Sequence, residues 1–139
     1  MSAPLTGKAA AWLRQARHDL DHAAVACGHA AWDWAAYAAQ QAAEKALKAL
    51  VLAAGERPEF THDLLVLARQ ARALGLLDAG ADLGDLGELT AFNTLSRYPT
   101  GDALSAPYEM LSKAQADRAV ATAQAVLAAV TAVLGAGDE

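Results

Sequence analysis

The sequence predicts an all-α protein, an up-and-down bundle of about four long helices and one short helix. Apolar residues recur at spacings of three and four along most of the chain, as they do on one face of a helix. No segment has the alternating pattern of a strand, and capping residues and glycines divide the chain into pieces of helical length. The 139 residues suit one domain, covering 1–139, and we expect residues 1–6 and 135–139 to be flexible.

Alanine dominates the apolar part of the composition. Hydrophobic residues make up 55% of the chain, yet the mean hydropathy is only +0.15. Small side chains let helix backbones approach closely, so the core is predicted to be thin and tightly packed. The formal net charge of -5 argues against a broad basic face that would bind duplex DNA.

Two long helices are predicted in the first half of the chain. The first runs from a cap at Thr6 to Gly28, and the second runs from about Trp32 to Ala54. The predicted buried face of the first helix consists of Leu13, Ala16, Leu20, Ala23 and Cys27. That of the second consists of Ala36, Ala39, Ala43, Ala46 and Leu50.

The second half of the chain is more often interrupted. Thr61 is predicted to cap a third helix that ends at Gly75, with Asp63 in its first turn, and a shorter helix is predicted at about 86–95. Pro99, Gly101 and Pro107 form a connector. The last helix starts near Ser112, which forms a capping box with Gln115. Its inward positions are Ala116, Val120, Ala123, Val126 or Leu127, and Val130.

The cysteine count and the lengths of the apolar segments predict the cellular location and the absence of a disulfide. Cys27 is the single cysteine, so no disulfide forms within the chain. The beginning of the sequence lacks the pattern of a secretory signal. The longest apolar run, AVATAQAVLAAVTAVLG, is interrupted by Thr and Gln and is shorter than a typical membrane span. We therefore expect a cytoplasmic protein that does not enter a membrane.

Two groups of histidines suggest metal sites. His18 and His22 share a helix face, but a third ligand is not evident there. His62 and Asp63 resemble the doublet of the all-helical HD phosphohydrolases, with His29 and Asp102 as further candidate ligands. The doublet is unspecific, and Asp63 is explained by its place at the start of a helix. No metal or other cofactor is predicted.

One polar stripe on the second helix is a candidate binding surface. Tyr37, Gln41, Glu44 and Lys48 lie on one face, with Lys45 beside them. Glu44 precedes Lys48 by four residues, the favourable order for a helical ion pair. Taken alone, the stripe is a solvated face.

Four segments in order carry a resemblance to a known family. They are WLRQARHDLDHA, YAAQQAAEKALKALVLAAG, THDLLVLA and SRYP. Together they resemble the HEPN family of small all-helical domains, from Ala9 to about Val133. The resemblance implies a bundle with a short extra helix and a homodimer. It also implies a partner, a minimal nucleotidyltransferase, with which such domains often form a toxin and antitoxin pair.

Many HEPN domains resemble metal-independent ribonucleases, in which an arginine is followed after four to six residues by a histidine. The resemblance places that arginine at Arg97, but the residues after the gap are Asp102, Ala103 and Leu104. An exposed aspartate is a weak base at neutral pH, so catalysis by Arg97 and Asp102 would be degenerate. Arg17 with His22 and Arg57 with His62 also fit the spacing, but they lie elsewhere in the chain.

We therefore expect the candidate site to bind a ligand or a partner through Arg97 and Tyr98. Arginine pairs with phosphate and tyrosine stacks on bases. The other candidate binding residues are Glu44, Lys45, Lys48, Tyr37, Gln41 and His62. Two alternatives stay open: a ribonuclease toxin, and a structural scaffold in which Arg97 pairs with a carboxylate such as Glu44 and Tyr98 covers the end of the bundle.

Overall fold

The chain folds into six helices in a computed structural model, which describes residues 7–101 and 104–135. Their bounds are α1 Gly7–Gly28, α2 Trp32–Ala53, α3 Leu64–Ala73, α4 Leu86–Leu95, α5 Pro107–Met110 and α6 Lys113–Leu134. No strand occurs within these two ranges. The all-α prediction is confirmed.

Helix α2 lies at the centre of the bundle and contacts each of the other five helices. A turn of three residues joins it to α1, so the two run antiparallel. The start of α6 lies at the end of α1, where Ala116 packs against Ala26. The shorter helices α3 and α4 pack on α2 and on each other. This arrangement brings the beginning of α2, the end of α4 and α5 to one end of the molecule.

The core consists largely of alanine, as predicted. The five predicted buried positions of α2, from Ala36 to Leu50, are all 0% exposed. In α1, Leu13, Ala16 and Ala23 are buried, whereas Leu20 and Cys27 are only partly buried. In α6 the predicted inward positions are buried except Val120, which is partly buried. Close packing of small side chains therefore holds the three 22-residue helices together.

Helix α3 begins later than predicted. Its N-cap is Asp63, whose carboxylate accepts a hydrogen bond from the amide of Leu65 at 2.9 Å. The Thr61 hydroxyl instead accepts from the amide of Asp63 at 3.0 Å, one turn before the helix. The prediction of Thr61 as the cap is wrong. Thr61 and Asp63 both have side chains that can cap a helix, and Asp63 occupies the N-cap position. Helix α3 is consequently ten residues long.

The predicted connector around Pro107 contains the short helix α5. Pro107 occupies its first turn, where the missing amide hydrogen costs nothing, and the Glu109 carboxylate accepts from the amide of Ala106 at 2.8 Å. Helix α4 has its predicted bounds, and Ser112 and Gln115 form the predicted capping box of α6. The predicted cap Thr6, the candidate base Asp102 and the termini 1–6 and 136–139 lie outside the described residues.

The loop between α3 and α4 passes very close to α6. Gly84 has a φ of +82°, and a Cβ atom placed on it would lie 2.8 Å from Oγ1 of Thr122. Only glycine suits both the backbone angle and the contact.

Helix α6 is long and apolar enough to cross a membrane by length and composition alone. In the bundle, its buried face packs against α2 and α1.

Candidate functional site

Arg97 lies just beyond the end of α4, and the local sequence explains why the helix stops there. The Ser96 hydroxyl donates to the carbonyl oxygen of Phe92. Nε of Arg97 donates to the carbonyl oxygen of Asn93 at 2.8 Å. The Phe92 carbonyl also accepts from the amide of Ser96, whereas the Asn93 carbonyl is one that the helix end leaves without a backbone partner and that Arg97 satisfies. The positive charge of Arg97 interacts favourably with the helix dipole. Pro99 then prevents the chain from continuing as a helix.

The guanidinium of Arg97 stacks on two tyrosines. Its Cζ atom lies 4.5 Å from the ring centre of Tyr37, on α2, and 5.0 Å from that of Tyr98. Tyr37 in turn meets Trp34 edge to face, with ring centres 6.2 Å apart. Within the described residues, the only hydrogen bond of the guanidinium is the one from Nε. The two rings hold the guanidinium in place. Its two terminal amino groups donate no hydrogen bond to the described residues, so they can donate to a ligand.

An open groove of about 470 Å³ lies beside this stack. It is formed by the first turn of α2, the residues after α4 and the start of α5, and we call it the Arg97 groove. Three aromatic residues of its lining are exposed: Trp34 by 56%, Tyr98 by 55% and Tyr108 by 68% of their total surface. Its lining consists of Asp33, Trp34, Ser96, Arg97, Tyr98, Pro99, Ala106, Pro107 and Tyr108. A cation and three exposed aromatic rings thus meet in one concave surface.

A second polar cluster lies farther along α2. The carboxylate of Glu44, which is 5% exposed, accepts hydrogen bonds from three residues. Nζ of Lys48 lies 3.0 Å away, Nδ1 of His62 2.9 Å away and Nε2 of Gln40 3.1 Å away. We call these four residues the Glu44 cluster. Lys48 also lies 5.9 Å from the ring centre of Trp12 on α1, so the cluster ties α1, α2 and the start of α3 together.

These contacts determine the charge of Glu44. Burial alone would raise the pKa of its carboxyl group, but the hydrogen bonds from His62, Lys48 and Gln40 and the charge of Lys48 outweigh burial, and the pKa lies below its usual value. Glu44 is therefore ionised at neutral pH. The alternative in which Arg97 pairs with Glu44 is wrong, because the ion-pair partners of Glu44 are Lys48 and His62 and the guanidinium lies against Tyr37 and Tyr98 instead.

Hydrogen bonds connect the Glu44 cluster to the Arg97 groove. Nε2 of Gln41 donates to Oε1 of Gln40 at 2.7 Å and to Oδ1 of Asn93 at 3.3 Å. Asn93 is also the residue whose carbonyl oxygen holds Arg97. The two sites are distinct in position, and Asn93 links them, because its side-chain oxygen faces the path from Glu44 and its backbone oxygen faces Arg97.

The predicted site residues thus separate into groups. Tyr37 and Tyr98 meet Arg97, Gln41 belongs to the connecting path, and Glu44, Lys48 and His62 form the cluster. Lys45 pairs with Asp19 on α1 and contacts neither site. Tyr37 and Lys48 are about 16 Å apart along a helix that rises 1.5 Å per residue, too far apart for one small pocket.

The candidate metal ligands are not assembled. His18 and His22 are exposed on α1, Asp63 caps α3, and His62 is bound to Glu44. Within the described residues, no three histidine, cysteine or acidic side chains come close enough to hold a metal ion.

Sequence reasoning missed Asp33, Trp34, Asn93 and Tyr108. A signal existed for Trp34, which precedes Tyr37 by three residues and so shares its helix face. Tyr108 was hidden because its segment was predicted to be a connector. Asn93 holds Arg97 through its backbone carbonyl, for which the sequence carries no signal, and meets Gln41 of α2 through its side chain only because of the tertiary packing.

Comparisons with known proteins agree with this architecture. The chain is similar to TT1696 from Thermus thermophilus, with 34% identity and a TM-score of 0.77 over 93% of this chain and 100% of that one. It is similar to ST0689, an archaeal HEPN homologue, with 29% identity and a TM-score of 0.71 over 93% and 99% of the two chains. A HEPN domain protein from Thermotoga maritima shares the fold, at 21% identity and a TM-score of 0.68 over 90% and 98%.

No curated protein sequence matches the chain. The HEPN domain family itself matches residues 9–133, which is nearly all of the sequence. With the six-helix bundle and its similarity to two of these structures, this match establishes that the chain belongs to the HEPN family.

Proposed function

We propose that the Arg97 groove binds a nucleotide, either free or as part of single-stranded RNA. The observation that carries the proposal is the arrangement of Arg97, stacked between Tyr37 and Tyr98 with its terminal amino groups beside an aromatic groove. A guanidinium fixed in this way can donate two parallel hydrogen bonds to a phosphate. Because the two rings already fix the conformation of the Arg97 side chain, ligand binding costs less conformational entropy.

The exposed rings supply the second half of the recognition. Trp34, Tyr98 and Tyr108 are large apolar surfaces that water covers in the free protein. Stacking of a base on an aromatic ring contributes about 1–3 kcal/mol per base. Unpaired bases can reach such rings, whereas the bases of a duplex are already stacked on each other. The negative net charge also favours a small, local contact over a broad one with duplex DNA.

The groove is better suited to binding than to cleavage. Cleavage of RNA through the 2′-hydroxyl needs a base near that group, and in the sequence Asp102 stands where the family motif has histidine. A carboxylate at that point would repel the phosphate that Arg97 attracts. A ribonuclease toxin therefore remains the second candidate, supported by the family membership and by Arg97 alone.

The proposal extends to assembly and cellular role. It includes a homodimer in the cytoplasm and a minimal nucleotidyltransferase as partner, in a toxin and antitoxin pair. Met110 of α5 is an exposed apolar side chain that does not line the groove, and it supports an interface at this end of the molecule.

Arg97→Ala tests the nucleotide site. We expect the variant to bind a labelled single-stranded RNA hexanucleotide about 10- to 100-fold more weakly than the wild type, because it loses charge-assisted hydrogen bonds to phosphate. Fluorescence anisotropy measures the affinity, and free 5′-nucleotides compete for the site.

Arg69→Ala is the matched control, since it removes an exposed arginine of α3 that lies outside the groove. This variant should bind the hexanucleotide as tightly as the wild type does. Excess duplex DNA should not displace the hexanucleotide from the wild type. Equal affinity of the Arg97 and Arg69 variants, or failure of both the hexanucleotide and the free nucleotides to bind, would contradict the proposal.

A further inference from the structure

Among the residues that the structure describes, one negatively charged side chain lines the Arg97 groove, that of Asp33. It lies in the first turn of α2, where a carboxylate also interacts favourably with the helix N-terminus. Asp33 is partly buried and lines the same groove as Arg97, Trp34 and Tyr108. It forms neither a hydrogen bond nor an ion pair with any residue that the structure describes, Arg97 included. Both carboxylate oxygens are thus available as acceptors.

A carboxylate in such a place distinguishes among the bases. Guanine is the base whose Watson–Crick edge carries two adjacent donors, the ring N1–H and the exocyclic N2 amino group, and a carboxylate can accept from both at once. Adenine and cytosine place one amino donor beside a ring nitrogen acceptor, which would face the second oxygen. Uracil places its single N3–H between two carbonyl oxygens, which would repel the carboxylate.

We propose that the Arg97 groove selects guanine nucleotides, with Asp33 accepting hydrogen bonds from N1–H and the N2 amino group of the base. This inference rests on the proposed function, because it assigns a base preference to the same groove. In this arrangement Arg97 holds the phosphate and the exposed aromatic rings hold the plane of the base. Asp33 supplies the preference and Arg97 most of the affinity.

Isothermal titration calorimetry with GMP, IMP and AMP tests the assignment. IMP has the N1–H donor but lacks the N2 amino group, so it separates the two hydrogen bonds. We expect the wild type to bind GMP about tenfold more tightly than AMP, with IMP between them. In Asp33→Asn, one acceptor becomes a donor, and GMP binding should weaken about tenfold. AMP binding should be kept or improved, because an amide matches the N6 and N1 atoms of adenine.

The outcomes separate this inference from the proposed function. If GMP and AMP bind the wild type equally and Arg97→Ala weakens both, the groove binds nucleotides and the guanine assignment is wrong. The assignment is also wrong if Asp33→Asn keeps the preference for GMP. If none of the three nucleotides binds the wild type, both the assignment and the proposed function fail. Circular dichroism of Asp33→Asn checks that the bundle is retained.

Discussion

At the scale of single residues, Glu44 is held in place by burial and by several hydrogen bonds at once. It is a buried carboxylate with three hydrogen-bonding partners from two parts of the chain, and no buried polar atom of the described residues lacks a partner. Removing its charge would leave Lys48 in a partly buried place without its counter-ion.

Glu44→Gln should lower the free energy of unfolding by about 1–3 kcal/mol at neutral pH, because the amide cannot accept from His62, Lys48 and Gln40 together. Chemical denaturation followed by circular dichroism measures the loss. Glu109→Gln is a suitable control, because that exposed carboxylate serves only the four-residue helix α5. A loss no larger than that of the control would contradict the account of the cluster.

The same carboxylate predicts a dependence of stability on pH. Its pKa is lower in the folded state than in the unfolded chain, so the unfolded state takes up the proton first as the pH falls. The stabilisation is complete above the unfolded pKa of about 4.3 and disappears as the pH falls through the lower folded value. Denaturation from pH 7 to pH 3 should therefore show the wild type and Glu44→Gln converging in acid. A constant difference across this range would contradict the pKa shift.

At the scale of elements, the loop between α3 and α4 depends on the glycine that touches α6. Gly84→Ala should lower the free energy of unfolding by about 2–4 kcal/mol, because alanine disfavours the positive φ and its methyl group overlaps Thr122. Thermal unfolding measures the change. Gly80→Ala, in the same loop with open space around it, should change stability little. Similar losses in both variants would show that the contact with Thr122 is unimportant.

The sequence predicted helices well where periodicity was strong and capping unambiguous. Every predicted buried position of α2 is buried, and α4 has its predicted bounds. The start of α3 was misplaced because Thr61 and Asp63 are both good capping residues. Helix α5 was missed because four residues are too few to show a period.

The site was predicted only in part, for a physical reason. Arg97 and Tyr98 were identified by their motif, but Tyr37 and Trp34 come from α2, far away in sequence, and Tyr108 comes from α5, which was predicted to be part of a connector. The predicted stripe from Tyr37 to Lys48 shares a helix face, yet its two ends serve different sites. A helical pattern gives the direction in which side chains point, and tertiary packing decides what they meet.

At the scale of the whole molecule, apolar surface is exposed at both ends of α2. Tyr108 and Met110 are exposed near its beginning, and Phe60 is 94% exposed beyond its end. The proposed homodimer uses the first of these surfaces. Sedimentation velocity should show a dimer for the wild type and a monomer for Met110→Glu, because a buried charge without a partner opposes association.

Phe60→Glu provides the comparison, since it places the same charge at the opposite end of the bundle. It should remain a dimer. A monomeric wild type would contradict the homodimer, and dissociation by Phe60→Glu alone would move the interface to the other end.

The path from Glu44 to Asn93 has a direction. A carboxylate can only accept, so Gln40 must present its amino group to Glu44 and its oxygen to Gln41. Gln41 must then present its amino group to Asn93. The charge of Glu44 thereby orients the side-chain amides of Gln40 and Gln41 in succession. The backbone carbonyl oxygen of His62, which also can only accept, lies 3.2 Å from the same amino group of Gln40. The orientation of Gln40, and with it that of Gln41, is therefore fixed by two acceptors and persists when Glu44 is neutral.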